Sequence, residues 1–137
     1  MRSIVILIAI GLLAFSFQGR FGRNILEGPD LAIDHRAVSV LRGAITHVRD
    51  GDTFEVNGIP VRISALDCAE NSTAEGKKIT RFAKQFKGKE TICELTGAKT
   101  YDRVVGYCSI NGIDFGKMMM DETSCKLWAK YDIWNKY

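Results

Sequence analysis

The hydrophobic pattern passes through three regimes along the chain. Ile4 to Phe17 is an uncharged apolar run broken only by Gly11 and Ser16. Residues 20–42 then mix Gly, Pro and charge, as in Glu27-Gly28-Pro29-Asp30, with no sustained period, and read as a lead-in or linker. From Ala44 the pattern becomes short strands with turns. Ala44 to Val48 predicts a first strand, Asp50-Gly51-Asp52 a turn and Thr53 to Val56 a second strand. Asn57-Gly58 is a strong hairpin signal, because both residues tolerate positive φ, and it leads into a third strand over Val61 to Leu66.

A helix follows. Ser72-Thr73-Ala74-Glu75 has capping-box spacing, with Ser72 as the cap and Glu75 reaching back. Ile79, Phe82, Ala83 and Phe86 fall at i, i+3, i+4 and i+7, which marks a buried face, and Gly88 ends the helix. The other face carries Lys77, Lys78, Arg81, Lys84 and Lys87, with no acid between Glu75 and Glu90. Such a face is either solvated surface or a phosphate-tracking surface. Strands resume over Thr91 to Leu95 and Val104 to Ser109, and Asn111-Gly112 gives a second tight turn. Phe115, Met118 and Met119 predict a short second helix whose methionines fill core. Leu127, Trp128, Tyr131, Ile133 and Trp134 form an aromatic-rich end without a period. Five strands, with one helix after the third and another after the fifth, predict a mainly β (α+β) domain over residues 43–137. The expected architecture is a five-stranded Greek-key barrel of the OB type with two short helices.

Composition changes the picture at the N-terminus. At 137 residues the chain holds one ordinary domain. Its formal charge of +3 comes from 19 Lys and Arg against 16 Asp and Glu, but Arg2 and Arg20 precede any acid; without them the balance is 17 against 16. Net charge therefore does not argue for a polyanion binder; only local clustering could. The apolar run after Met1-Arg2-Ser3 has the layout of a secretory signal. As a helix its fourteen residues would span about 21 Å, short of the roughly 30 Å hydrocarbon core. Residues 1–19 therefore read as a signal peptide, with an uncleaved N-terminal anchor and a buried core helix as the alternatives. Export places the protein in the periplasm or outside the cell. Four cysteines, Cys68, Cys93, Cys108 and Cys125, fit an oxidising compartment, and no CxxC spacing points to zinc. They allow three pairings, and their spacing does not choose among them.

The candidate chemistry gathers around the second and third strands. Asp50 and Asp52 lie in the first turn, and Asp67 and Glu70 just after the third strand. Hairpin pairing would bring Asp67 towards Asp52, and two carboxylates together favour a hard cation, Ca²⁺ or Mg²⁺ rather than zinc. Arg62 alternates with the apolar Val61 and Ile63, and Arg103 begins the fifth strand. Two guanidinium groups beside a carboxylate-held cation and a free carboxylate at Glu70 make a phosphodiester site, with Glu70 placed to deprotonate water. His35 and His47 read as surface or packing residues.

Three motifs in order, Val48-Arg49-Asp50-Gly51-Asp52-Thr53, Val61-Arg62-Ile63-Ser64-Ala65-Leu66-Asp67-Cys68-Ala69-Glu70 and Tyr101-Asp102-Arg103, resemble staphylococcal nuclease and its thermonuclease-like relatives over about residues 44–131. The resemblance implies an OB barrel that hydrolyses DNA and RNA as a monomer with Ca²⁺, leaving 3′-phosphate ends. It implies Asp52, Asp67 and the Cys68 backbone carbonyl as calcium ligands and Glu70 as general base. Arg62 and Arg103 would be the phosphate-binding pair, and Tyr101 and Tyr131 aromatic positions lining the nucleotide pocket. It also implies disulfides Cys93 to Cys108 and Cys68 to Cys125. This chain departs from the family pattern where Cys68-Ala69 replaces Thr-Pro or Ala-Pro, loosening the turn before Glu70. Asp121-Glu122-Thr123 stands where an Arg-Gln-Gly run is usual, and the sequence leaves no room for a third helix. The competing expectations are a catalytically silent OB module binding nucleic acid or protein, and an envelope or exopolysaccharide-associated protein with an inherited nuclease likeness.

Overall fold

The structure, a computed structural model, describes residues 32–137. The predicted signal or anchor and residues 20–31 of the lead-in lie outside the described residues. Strand β1 (Ser39–Asp50) is much longer than the predicted Ala44 to Val48 and starts inside the expected lead-in. It is long because it pairs twice: Ser39 to Ala44 with a later strand, Ile45 to Asp50 with the next one. A register shift between Ile45 and His47 explains its sequence pattern. Strict alternation would put Ile45 and Val48 on opposite faces, whereas the bulge turns both into the core, 1% and 3% exposed.

β2 (Thr53–Val56) turns at Asn57-Gly58, both at positive φ, into β3 (Ile59–Ile63), with Thr53 opposite Arg62. The expected third strand, Val61 to Leu66, does not run straight through. Ala65 adopts φ 62°, and the chain leaves the sheet to form β4 (Leu66–Asp67), which pairs with Lys126 and Leu127. Helix α1 (Ala74–Lys84) is capped by Thr73 rather than Ser72, the Thr73 hydroxyl accepting from the Gly76 N–H at 3.0 Å. Glu75 does not reach back to the cap; it accepts from the Ser124 hydroxyl at 2.6 Å. The helix stops at Lys84, four residues before Gly88, whose positive φ lies at the end of the following turns.

β5 (Glu90–Thr100) and β6 (Arg103–Ile110) absorb most of the expected loop between them, leaving a two-residue turn at Tyr101-Asp102. Asn111-Gly112 leads as expected into a further short strand, β7 (Ile113–Asp114), and then α2 (Phe115–Glu122) and β8 (Lys126–Leu127). A short 3-10 turn covers Ala129–Tyr131. The fold is thus mainly β with two helices. The five predicted strands are the long ones, and three two-residue strands were not foreseen. The main sheet has the order β3-β2-β1-β5-β6-β7, and β3 pairs again, in parallel, with β6. That seam returns the sheet towards itself, but over a shorter stretch than the antiparallel ladders joining β1, β2, β3, β5 and β6, so the ring is unevenly closed.

The core gathers Phe54, Val61, Ile63, Ile79, Phe115 and Met119 beneath α1 and α2, with Phe54 edge-on to Phe115 at 5.1 Å. Cys93 is bonded to Cys108 within this core, across β5 and β6, and Cys68 to Cys125 links the segment after β4 to the segment after α2. A second cluster lies under the C-terminal segment. There Trp134 stacks on Tyr107 at 4.8 Å, and the Tyr107 hydroxyl donates to Asp132 at 2.9 Å. Asp132 also accepts from the backbone N–H groups of Lys136 and Tyr137, and Arg36, within the expected lead-in, donates to the Trp134 carbonyl. Among the described residues no helix is long and apolar enough to cross a membrane, and the two disulfides are compatible with an exported protein.

Candidate functional site

The turn before β2 and the end of β3 open onto a cavity of about 440 Å³. Asp52 enters it from the turn before β2, locked by the Ile63 N–H, which donates to its carbonyl at 2.8 Å. One carboxylate oxygen accepts from the Thr53 hydroxyl at 3.0 Å, and the other lies 3.2 Å from the Arg62 guanidinium. Burial raises the Asp52 carboxyl to about 7; Arg62 pulls it down, while Asp50 pushes it up. Arg62 is further fixed by donating to the Ile63 carbonyl at 2.9 Å. Arg103, on β6, donates to the same Thr53 hydroxyl at 3.2 Å and to the Thr100 carbonyl at 3.3 Å. Thr53 therefore sits between the acid and the second arginine, a role no motif announced.

Asp67 and Glu70 enter from the strand and loop that leave the sheet at Ala65. β4 is held on one side by β8, with Asp67 opposite Lys126, and Cys68 is tied to Cys125. The Glu70 carbonyl accepts from both the N–H and the hydroxyl of Thr73, at 2.9 and 2.8 Å. Gly76 makes that approach possible: a Cβ there would overlap the Glu70 and Ala69 carbonyls. The loop is thereby seated on the first turn of α1 without the proline expected before Glu70.

The far wall comes from the C-terminal segment. Ser64 donates its hydroxyl to the Tyr131 carbonyl at 2.8 Å, and the Trp128 N–H donates to the Ala65 carbonyl at 2.6 Å. Trp128 meets Tyr131 edge-on at 4.5 Å, and both are partly exposed at the cavity. Tyr101 stands apart from these. It is 94% exposed, does not line the cavity, and lies under the Arg103 guanidinium at 5.5 Å. The sequence placed Thr53 and Ser64 inside the motifs and Trp128 in the aromatic-rich end but gave none of the three a role. Nor did it give one to Arg49, which forks between Glu55 and Asp102, with both ion pairs at 2.9 Å. That guanidinium holds the Asp102 carboxyl below its usual range and pins the turn that carries Tyr101 and precedes Arg103.

The donor set suits a hard cation. Among the described residues no three His, Cys, Asp or Glu side chains form a metal-holding group; Asp52 and Asp67 line the same cavity, and carboxylate oxygens are the donors a hard cation takes. Positive charge placed beside Asp52 would favour its ionised form against the burial that raises it. No family model matches the chain, and no curated protein matches it.

Proposed function

We propose that the protein is an exported, Ca²⁺-dependent nuclease of the thermonuclease-like kind, hydrolysing phosphodiester bonds of DNA and RNA and leaving 3′-phosphate ends. The observation that carries this reading is the meeting of Asp52, Asp67, Arg62, Arg103 and Glu70 around one cavity. A module that only binds has no use for a free carboxylate beside two arginines and an acidic pair. The strand pairings, in which β3 returns to β6, support an OB-type barrel as the scaffold.

Asp52, Asp67 and the Cys68 carbonyl would hold Ca²⁺, which when bound supplies positive charge against the phosphoryl oxygens. Arg62 and Arg103 bind the phosphate from fixed positions, so their charges require little rearrangement as negative charge grows. Glu70 takes the proton of the attacking water. Tyr131 and Trp128 offer ring faces to a base, and Tyr101 a further ring outside the cavity. The purified full chain is expected to degrade single-stranded DNA with Ca²⁺ and to stop on chelation. Intact substrate after incubation with folded, Ca²⁺-loaded protein would move the reading to a silent binding module.

The Arg49 clamp gives a separate prediction. Arg49→Ala should raise KM for single-stranded DNA several-fold by freeing the turn before Arg103, with thermal stability nearly unchanged. Arg49→Lys should not restore it, because an ammonium cannot fork to two carboxylates as a guanidinium does. Full recovery of KM in the lysine variant would show that charge alone, not the fork, matters.

A further inference from the structure

Charge on the described residues is strongly segregated. Residues 76–89 carry six cations, Lys77, Lys78, Arg81, Lys84, Lys87 and Lys89, and no acid. The remaining described residues carry ten Lys and Arg against fourteen Asp and Glu, a balance of −4. All six cations are exposed, and none forms an ion pair among the described residues. Elsewhere the lysines and arginines commonly have partners, as at Arg36, Arg49, Arg62, Lys117 and Lys136. Lys77, Lys78, Arg81 and Lys84 are like charges close together on one helix and repel one another, with only the dipole at the last turn favouring Arg81 and Lys84.

Position gives the cluster a direction. Lys77, Arg81 and Lys84 lie at i, i+4 and i+7, so they form one stripe along α1, over a span of about 10 Å. The face turned away from this stripe is buried through Ile79 and Ala83. The helix begins at the cavity rim, where Thr73 and Gly76 seat the Glu70 loop, so Lys77 stands within one turn of that rim. A single strand whose phosphates left the cavity past Glu70 along α1 would meet the stripe.

We propose that this face of α1 is an exosite for single-stranded nucleic acid, holding the phosphates that flank the bond placed in the cavity. It deepens the nuclease reading and rests on it for the cavity's occupant. The face draws a polyanion although the other described residues are net acidic, and it grips the backbone without reading sequence. Its length matches two or three phosphates, so substrates too short to reach it gain nothing from it.

The test is the triple variant Lys77→Gln, Arg81→Gln, Lys84→Gln in the full chain, with circular dichroism and thermal unfolding as fold controls. Binding of a long single-stranded oligonucleotide is followed by fluorescence anisotropy across salt concentrations without Ca²⁺, and cleavage of that oligonucleotide and of a dinucleotide is followed with Ca²⁺. The slope of log affinity against log salt should flatten by about 2, from about 0.7 for each of three single-strand phosphates. KM for the long substrate should rise several-fold, with kcat and dinucleotide cleavage unchanged. An unchanged salt slope overturns the proposal. So does a variant that loses binding to vesicles of anionic phospholipid while keeping its affinity for the oligonucleotide, since that assigns the face to a membrane surface. Salt-sensitive binding that the triple variant weakens, by a wild type that cleaves neither substrate, would sink the nuclease reading and leave the exosite standing.

Discussion

Glu70→Gln is expected to lower kcat for single-stranded DNA by about 10²–10⁴-fold, the range that a positioned general base supplies, with KM little changed. The substitution keeps shape and removes the ability to take a proton at neutral pH. Its backbone should not move, because the loop is held by the Glu70 carbonyl rather than by the side chain, through two hydrogen bonds from Thr73. Any loss therefore reads as chemistry, in the way that equal falls in kcat and kcat/KM mark an interaction made only in the transition state. Steady-state kinetics with saturating Ca²⁺ decide it. A kcat within a few-fold of the wild type would remove Glu70 from proton transfer and direct attention to water activated elsewhere in the cavity.

The second large effect concerns the bridge between Cys68 and Cys125. Replacing both with Ser should cost about 4 kcal/mol by the chain-entropy relation for a separation of 57 residues. Replacing Cys93 and Cys108, separated by 15, should cost about 3 kcal/mol by the same relation. The two variants should differ far more in activity than in stability. Cys68 lies between Asp67 and Glu70 on the segment that leaves the sheet, so loss of its bridge frees one side of the cavity. Cys93 and Cys108 lie within the core on β5 and β6, away from the acids. Denaturant unfolding paired with kcat on each variant separates the cases. If the Cys68 and Cys125 variant keeps full kcat below its unfolding midpoint, β8 and the seat on α1 alone must hold the loop.

What could be read in the sequence was what local chemistry decides. Asn57-Gly58 and Asn111-Gly112 turn as expected because each residue supplies its own positive φ. The buried face of α1 follows from spacing that only a helix brings together. Arg62 and Asp52 meet because hairpin register, once fixed by the turn, fixes its cross-strand neighbours. What could not be read depends on distant partners. The bulge near His47 arises from pairing β1 on two sides, and the departure at Ala65 needs Lys126 and Leu127 waiting to form β8. Thr73 rather than Ser72 caps α1 because the Glu70 carbonyl must be met as well. The cysteine spacing left three pairings open, and only the family likeness chose the two observed. Arg49 gave no sign of its role, since its partners Glu55 and Asp102 lie on different hairpins.

One wall of the cavity has a consequence for how the molecule is made. Every charged residue assigned to the chemistry lies between Asp52 and Arg103, yet the wall bearing Tyr131 is attached to Ser64 across 67 residues and braced by Trp134 on Tyr107. A nascent chain emerging N-terminus first therefore carries both arginines and all the acids long before it has a pocket to put them in. The Ser64 to Tyr131 contact is among the most sequence-distant in the fold, and such contacts bear the largest loop-closure cost. Closure of this wall is therefore expected to come late in folding, after contacts between residues nearer in sequence.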